Sequence, residues 1–322
     1  MTETDLMDGP EAALAPAAPD REGWFAQMEE RCLEEGYFEP LGKRHWAWLH
    51  DDGPTLLVTF ESIESILARP DRLSAGHAVA ATKGWSHLCL VSDGETWYRD
   101  GSVYRYFDRL VDDSFFEDFD RVVFYGAGTA GHAATAFCVA APGSTVIAVS
   151  PRATLSPDIA GWDSRHAGAR RLDFTSRYGY GPDMTEGAAR VFLLFDPLHR
   201  EDAMHAALFR APHVSFLKTR YLGDRVEEVL NGMALLPRLL ADAGEGKLDA
   251  ELFARLWRKR SRNGGYMDGL LALAEAKGHT RRAWIVAREA ALRTRAPRFR
   301  RSAARLAAIC APDAMAEDAT DG

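Results

Sequence analysis

The stretch RVVFYGAGTAGHAATA, residues 121–136, decides the fold of this chain. It opens with a short apolar run, VVFY, which is typical of a buried β-strand. Gly126, Gly128 and Gly131 follow, and glycine permits the backbone angles that a tight turn needs. The alanine-rich end of the stretch favours a helix. We therefore predict a strand, a glycine turn and the first turns of a helix.

Two kinds of site use this arrangement. The glycines match G-x-G-x-x-G, in which a dinucleotide pyrophosphate binds the amides at the start of the helix. The turn also resembles the nucleophile elbow G-x-S-x-G, which presents the catalytic serine of α/β-hydrolases. In that interpretation Gly126 is the first glycine of the motif, and Gly128 occupies the position of the serine.

The position of the turn within the chain favours the elbow. A dinucleotide-binding fold places its glycines after the first strand and an acidic residue about twenty positions later. Here apolar strands are predicted before the turn, at residues 55–60 and 86–92, and Ser150 and Arg152 follow the next predicted strand. These two residues suit the 2′-phosphate of NADP, so an NADP-dependent oxidoreductase is kept as an alternative. Otherwise we expect no cofactor.

The remaining patterns predict a mostly parallel sheet with helices on both faces, as in α/β-hydrolases. Residues 45–50 and 55–60 are predicted to form a hairpin around the turn at 51–54. Beyond them, apolar strands alternate with helix-favouring segments. Residues 151–182 show no clear hydrophobic periodicity. An irregular segment of this length between strands is predicted to form a lid, a cap or a long loop over a ligand site. The later strands are predicted at residues 86–92, 144–149, 191–195 and 214–217.

The composition divides the chain into four parts. Residues 1–20 are acidic and rich in Ala and Pro, so we expect them to be disordered, and residues 21–232 form the α/β-hydrolase-like domain. Residues 233–311 are predicted to be a basic α-helical extension whose last helix ends before Pro297, and residues 312–322 a disordered tail. The formal net charge is −8, but residues 255–305 carry +12, which leaves −20 elsewhere.

The cysteines and the first residues indicate a cytoplasmic protein. The four cysteines lie far apart in sequence, so they predict neither a disulfide framework nor a metal site. The first twenty residues lack the basic and apolar regions of a signal peptide. We expect no association with a membrane.

Several segments resemble a bacterial family of α/β-hydrolase-like proteins. The similarity lies in the elbow and its flanks, in VSDGETWYRD, in SPRATLSPDIAGWDSRH and in LLFDPLHREDAMHAALF. It covers about residues 21–260 and implies the fold without an established reaction. Some members are named phosphoadenosine phosphosulfate reductase. Such a reductase is expected to contain an SGGKDS-like loop and a late Glu-Cys-Gly-x-His motif; both are missing, since Cys310 lies in Ile-Cys-Ala-Pro, and we expect no sulfonucleotide reductase activity.

The catalytic triad of the hydrolase plan is incomplete in this sequence. Asp196 follows the strand VFLLF and fills the position of the carboxylate, but Gly128 has no side chain to act as nucleophile. The segment after the last predicted strand, KTRYLGD, contains no histidine. The candidates for displaced catalytic residues are Thr129, His132 and His199, and His205 is a weaker candidate on a helix face.

Ligand binding has its own candidates. The amides of the glycine turn at Gly126, Gly128 and Gly131 suit an anion. Arg152 and Arg220 are the basic side chains expected near those amides. Asp93, Trp97 and Tyr98 follow a strand end, where open α/β sheets bind ligands.

We therefore expect a non-catalytic protein with a binding or regulatory role and a small anionic ligand. The alternatives are a hydrolase or acyltransferase with displaced catalytic residues, and the NADP-dependent oxidoreductase. The basic helices suit an acidic protein partner, whereas nucleic-acid binding is not expected, because few aromatic residues accompany the basic ones.

Overall fold

An eight-stranded sheet forms the centre of the protein in the computed structural model, which describes residues 21–32 and 36–317, with side chains up to residue 310. The strand order is β1-β2-β4-β3-β5-β6-β7-β8. The predictions of disorder for residues 1–20 and 318–322 lie outside the described residues. The strands are β1 (Gly36–Leu41), β2 (His45–His50), β3 (Thr55–Ser62), β4 (Ser86–Ser92), β5 (Arg121–Ala127), β6 (Thr145–Val149), β7 (Arg190–Phe195) and β8 (Val214–Lys218).

The sheet is mostly parallel, as predicted. Strands β3 to β8 pair in parallel, and β2 pairs antiparallel with both β1 and β4. In β5, Val122 and Phe124 belong to one apolar cluster, whereas Val123 and Tyr125 belong to the cluster on the opposite face. Successive side chains of a strand point to opposite faces, and helices cover both faces, so the central strands are continuous apolar runs.

The predicted hairpin between β2 and β3 is wrong, because β4 lies between these two strands. Strand β3 is buried along residues 55–61, as expected of a central strand with parallel neighbours. The Ser86 hydroxyl at the start of β4 accepts hydrogen bonds from the amides of Asp52 and Gly53 and so holds the β2–β3 turn. The hairpin in this region joins β1 to β2, and β1 was missed because GYFEPL contains Pro40 and has no apolar run.

Helices cover the two faces of the sheet, and the chain after residue 232 is helical, as predicted for the C-terminal extension. The apolar cluster on this side continues from Val123 in the sheet to Leu306 near the end of the described side chains. None of the described helices combines the length and the apolarity that crossing a membrane requires. The helices are α1 (Arg21–Arg31), α2 (Ile63–Leu67), α3 (Ala75–Lys83), α4 (Gly101–Asp112), α5 (Thr129–Phe137), α6 (Pro157–Ala160), α7 (Gly181–Met184), α8 (Arg200–Ala206), α9 (Val226–Gly232), α10 (Leu235–Gly244), α11 (Ala250–Trp257), α12 (Gly264–Ala276), α13 (Thr280–Thr294) and α14 (Pro297–Glu317).

Two features of the extension differ from the sequence prediction. Helix α10 packs against β5 and α3, so the layer that covers the sheet continues past residue 232. Pro297 begins α14 instead of only ending the helix before it, which is consistent with the preference of proline for the first position of a helix. Helix α14 ends at Glu317 and therefore includes the first residues of the predicted tail.

Candidate functional site

The glycine turn lies between the end of β5 and the start of α5. Gly128, at its apex, has φ +58° and ψ −116°, a backbone conformation that residues other than glycine rarely adopt. Its amide donates a hydrogen bond of 2.8 Å to the carbonyl of Val149 on the neighbouring strand. A Cβ atom placed on Gly128 would meet nothing within 4 Å. The apex therefore faces open space, which is where an elbow presents its nucleophile.

The flanking glycines are closely packed, and the contact at Gly126 leaves no room for a side chain. A Cβ atom on Gly126 would lie 2.0 Å from the carbonyl oxygen of Ala130 in the first turn of α5. A Cβ atom on Gly131 would lie 3.2 Å from Cα of Pro151, where α5 approaches the chain after β6. The turn follows the fifth strand of the order 1-2-4-3-5-6-7-8, which differs from the order of the dinucleotide-binding fold. The expected α/β-hydrolase-like fold is confirmed.

A cleft of about 400 Å³ lies beside the elbow at the carboxyl ends of β3, β4 and β5. It is lined by Thr129, Trp97 and Tyr98 among others, together with four carboxyl side chains, Glu61, Glu64, Glu95 and Glu227. A smaller cavity of about 190 Å³ lies directly over Gly128. The two cavities share Ala127 and Glu227, so they are parts of one site around the elbow.

Glu227 lies where the two cavities meet. It belongs to α9, the first helix after the last strand, and its side chain is partly exposed. Tyr125 of β5 donates a hydrogen bond of 2.7 Å from its hydroxyl to Oε1 of Glu227. Burial and the nearby carboxylate raise the pKa of Tyr125 well above its usual value, so the hydroxyl remains a donor. Glu227 is thus a carboxylate held in place beside Gly128.

Glu61 lies near the end of β3 and is buried. Its Oε1 accepts a hydrogen bond of 2.7 Å from the amide of Ala75, and Nη1 of Arg69 lies 2.5 Å from its Oε2. Burial raises the pKa of the Glu61 carboxyl to about 7, although Arg69 and the Ala75 amide act in the opposite direction. Near neutral pH this carboxyl group can therefore both donate and accept a proton.

The raised pKa of Glu61 predicts a stability that depends on pH. The pKa lies above the ordinary value of 4.5, so the free energy of unfolding should decrease as the pH rises from about 4.5 to about 7. Relative to Glu61→Gln, the free energy of unfolding of the wild type should fall by roughly 2 to 3 kcal/mol over this pH range, as measured by urea unfolding. Glu64→Gln, which removes an exposed carboxyl from the same segment, controls for the change in net charge. Parallel pH profiles of the wild type and Glu61→Gln would contradict the assignment.

Asp196 lies directly after β7, the position of the acid in the hydrolase plan. Its Oδ1 accepts a hydrogen bond of 2.9 Å from the amide of Leu198. Its Oδ2 accepts hydrogen bonds of 2.8 Å from the amides of Leu222 and Gly223. Both carboxylate oxygens therefore accept hydrogen bonds from backbone amides. Asp196 positions the loop after β8, and this loop contains no histidine.

Two of the three candidate histidines are packed in the interior. His132 is fully buried against Trp97, and burial lowers its pKa to about 3. His205 is also fully buried, and its Nε2 lies 3.0 Å from Asp163 in the excursion after β6. His199 is partly exposed, and its Nδ1 lies 3.3 Å from Oδ2 of Asp202.

The structure brings some of the predicted ligand-binding residues together and separates others. Trp97 and Tyr98 line the cleft, and both have a left-handed backbone, with φ values of +57° and +55°. Arg152 lines the cavity over Gly128 and lies 3.7 Å from Asp202. Asp93 instead forms an ion pair of 2.6 Å with Arg21. Arg220 is exposed and lines neither cavity.

Sequence reasoning missed Glu61 and Glu227, two of the carboxyl side chains that line the cleft. Glu61 had a usable signal, because it lies at the carboxyl end of a predicted strand, where open α/β sheets bind ligands. Glu227 had none, because it lies on a short helix about a hundred residues after the elbow and reaches the site only through the tertiary fold.

Comparisons with known proteins agree with this fold. No protein-family model matches the chain, and no curated protein matches it by sequence. Among solved structures it is similar to Est1E from Butyrivibrio proteoclasticus, with 12% identity, coverage of 65% of this chain and 97% of that one, and a TM-score of 0.45. It is also similar to the esterase domain of a Rhodothermus marinus protein (14% identity, 67% and 94% coverage, TM-score 0.37) and to the Pyrobaculum calidifontis esterase (13%, 76% and 95%, 0.39).

These comparisons correct the main functional expectation. Two of these similar structures are named as esterases, and the alternative of an enzyme with displaced catalytic residues therefore replaces the expectation of a non-catalytic binding or regulatory protein as the hypothesis carried forward. That expectation depended on the triad positions alone. The missing serine and histidine remove one catalytic arrangement, but the cleft beside the elbow contains carboxyl groups of its own. Identities this low show the fold, and the reaction is a separate question.

Proposed function

We propose that the chain is a hydrolase of acyl bonds in which residues of the cleft replace the serine and histidine of the usual triad. The observation that carries this proposal is the position of Glu227, a carboxylate that lines the same cavity as the open apex at Gly128. The backbone at Gly128 has the angles of a sharp strand-to-helix turn, and the space above it is free. A reacting group can therefore approach the turn beside a fixed base.

The proposed reaction uses water as the nucleophile. A water molecule over Gly128 attacks the carbonyl carbon of the substrate while Glu227 accepts its proton. The amide of Thr129, which follows the nucleophile position, donates a hydrogen bond to the developing oxyanion. When the tetrahedral intermediate collapses, the bond to the leaving oxygen breaks, and Glu61 in its protonated form donates a proton to that oxygen. The products are a carboxylic acid and an alcohol, and Glu227 then releases its proton to solvent while Glu61 takes one up, which restores both groups.

The different environments of Glu61 and Glu227 support these roles. Burial gives Glu61 a pKa of about 7, so it keeps its proton at a pH where an ordinary carboxyl group has lost it. Glu227 is partly exposed to solvent, and its Oε1 accepts a hydrogen bond of 2.7 Å from the Tyr125 hydroxyl, which holds the side chain beside the elbow. An acid and a base of the same residue type are thereby available in one cleft.

Thr129 provides a second route, because it lines the cleft at the first position of α5. If its hydroxyl attacks the substrate, an acyl-enzyme forms and acyl transfer to an alcohol becomes possible. Thr129→Ala separates the two routes. If water is the nucleophile, Thr129→Ala keeps most of the activity. If Thr129 is the nucleophile, Thr129→Ala loses the activity and Thr129→Ser retains it.

Hydrolysis of p-nitrophenyl acetate and butyrate by the purified protein tests the proposal. We expect activity that co-elutes with the protein, and a loss of that activity in Glu227→Gln excludes a contaminating esterase. Absence of hydrolysis with both esters, or activity unchanged in Glu227→Gln and Thr129→Ala, would overturn the proposal.

The family, the cellular location, the ligand and the partners of the protein are also predictions. We propose that the protein belongs to the bacterial α/β-hydrolase-like family that its segments resemble, that it is cytoplasmic and that it has no sulfonucleotide reductase activity. An anionic ligand at the elbow amides and an acidic partner at the basic helices also stay predictions. NADPH titration of the wild type and Gly128→Val tests the remaining cofactor alternative, which the proposed reaction does not use.

A further inference from the structure

Another cavity, separate from the two at the elbow, lies at the opposite ends of the central strands. Its volume is about 540 Å³, larger than that of the cleft. It lies at the amino ends of three central strands, where it is lined by Arg121 of β5, Thr145 of β6 and Arg190 of β7. The elbow lies at the carboxyl ends of the same strands, so a ligand in this cavity would not occupy the catalytic cleft.

One wall of this cavity is apolar. It is formed by Leu110 and Val111 at the end of α4, by Phe116 and Phe119 in the turn that follows, and by Pro142. The Val111 side chain is 48% exposed, and Phe119 is only partly buried. Apolar groups that remain accessible along a concave surface are typical of a ligand site. The wall therefore suits a hydrocarbon body.

The polar groups of the cavity include a buried hydroxyl without a partner. Ser144 is 2% exposed, and its Oγ has no hydrogen-bond partner in the part of the chain that the structure describes. Buried hydroxyl groups are normally satisfied, so this one indicates a missing acceptor or donor. Ser144 lines the cavity, and a ligand there can supply the partner.

Two arginines line the same cavity as Ser144 and provide further donors. Nη1 of Arg190 donates to the carbonyls of Gly246 and Leu248, at 3.2 and 3.1 Å, and Nη1 of Arg121 donates to the carbonyl of Gly244 at 3.0 Å. These contacts fix the two guanidinium groups, and each guanidinium has five N–H groups in total. The lining acids, Glu117 and Asp120, are both exposed to solvent. The fixed donors favour a ligand whose head group accepts hydrogen bonds and is negatively charged.

We propose that this cavity binds an amphipathic carboxylate. Its hydrocarbon body contacts the wall of Val111, Phe116 and Phe119, and its carboxylate accepts hydrogen bonds from the Ser144 hydroxyl and a guanidinium group. The site is separate from the proposed hydrolase site, and it does not depend on the reaction at the elbow.

Calorimetric titration of the full chain with sodium decanoate, below its micellar concentration, tests the proposal. We expect saturable binding to one site, with decylammonium binding at least about tenfold more weakly because its head group is a cation. Ser144→Ala should weaken decanoate binding by about three- to tenfold, the effect of one hydrogen bond.

Two variants of Val111 provide a matched comparison. Val111→Asp and Val111→Lys remove the same apolar contact from an exposed position, but only the aspartate repels the carboxylate. We expect Val111→Asp to weaken decanoate binding at least about tenfold more than Val111→Lys does, with p-nitrophenyl ester hydrolysis unchanged in both. No saturable binding to the wild type, equal binding of decanoate and decylammonium, or equal effects of the two Val111 variants would overturn the proposal. Binding that is lost in Gly128→Val but kept in Val111→Asp would place the ligand in the elbow cleft instead.

Discussion

Glu227→Gln is expected to reduce kcat/KM for p-nitrophenyl butyrate hydrolysis by at least about 100-fold at pH 7, because general base catalysis contributes on the order of 10² to 10⁴ in rate. Glutamine has the shape of glutamate, and its carbonyl oxygen can still accept the hydrogen bond from Tyr125. The variant therefore keeps the site intact and removes only the ability to accept a proton. The expected loss is in kcat, with KM little changed.

Glu228→Gln is the matched control for this variant. Glu228 is the next residue of α9, its side chain is 69% exposed, and it lies 4.0 Å from Arg225 at the surface. It lines neither cavity of the site. We expect kcat/KM within about twofold of the wild type. If both variants keep full activity while Thr129→Ala loses it, Thr129 acts as the nucleophile and Glu227 does not act as the base.

The pH profile separates the two carboxyl groups. The proposed role of Glu61 requires its protonated form, and its pKa is about 7, so kcat should decrease as the pH rises above about 7. In Glu61→Gln this decrease should disappear, together with the proton donor. A lower rate in Glu61→Gln with an unchanged profile would mean that another group causes the decrease.

The local parts of the fold were predictable from sequence because their signals are contiguous. The elbow needs an apolar strand, glycines at fixed spacing and a helix-favouring segment, and all of these lie within residues 121–136. The β2–β3 hairpin was predicted wrongly, because a strand from later in the chain can lie between two consecutive strands. Here β4 lies between β2 and β3 in the sheet. A short turn between two apolar strands does not contain this information.

The candidate site was less predictable for a related reason. Asp196 was found through its position after a strand, but its hydrogen bonds to Leu222 and Gly223 depend on the loop after β8. Glu61 is distinguished by burial next to Arg69, and Glu227 by its distance from the elbow in sequence and its closeness in space. Burial and long-range proximity are properties of the folded chain, so a triad template could not include these two residues.

Alanine substitutions at two glycines of the elbow should differ strongly in their effect on stability. Gly126→Ala is expected to lower the free energy of unfolding by more than about 4 kcal/mol or to prevent folding. Its Cβ atom would lie 2.0 Å from the carbonyl oxygen of Ala130 and 2.4 Å from the carbonyl carbon, and these are backbone atoms of α5 that cannot rotate away. Relief of the contact requires α5 to move away from the sheet, against which it packs through fully buried residues.

Gly128→Ala is the matched control and should cost only about 1 to 3 kcal/mol, the strain of a side chain at φ +58°. Its Cβ atom meets no atom within 4 Å, so the substitution adds no collision. Urea unfolding followed by circular dichroism measures both variants. The same Cβ enters the space where the attacking water is proposed, so Gly128→Ala should also lower kcat while the protein remains folded. A Gly128→Ala protein as unstable as Gly126→Ala would mean that the apex is packed, and a packed apex could not admit the water molecule.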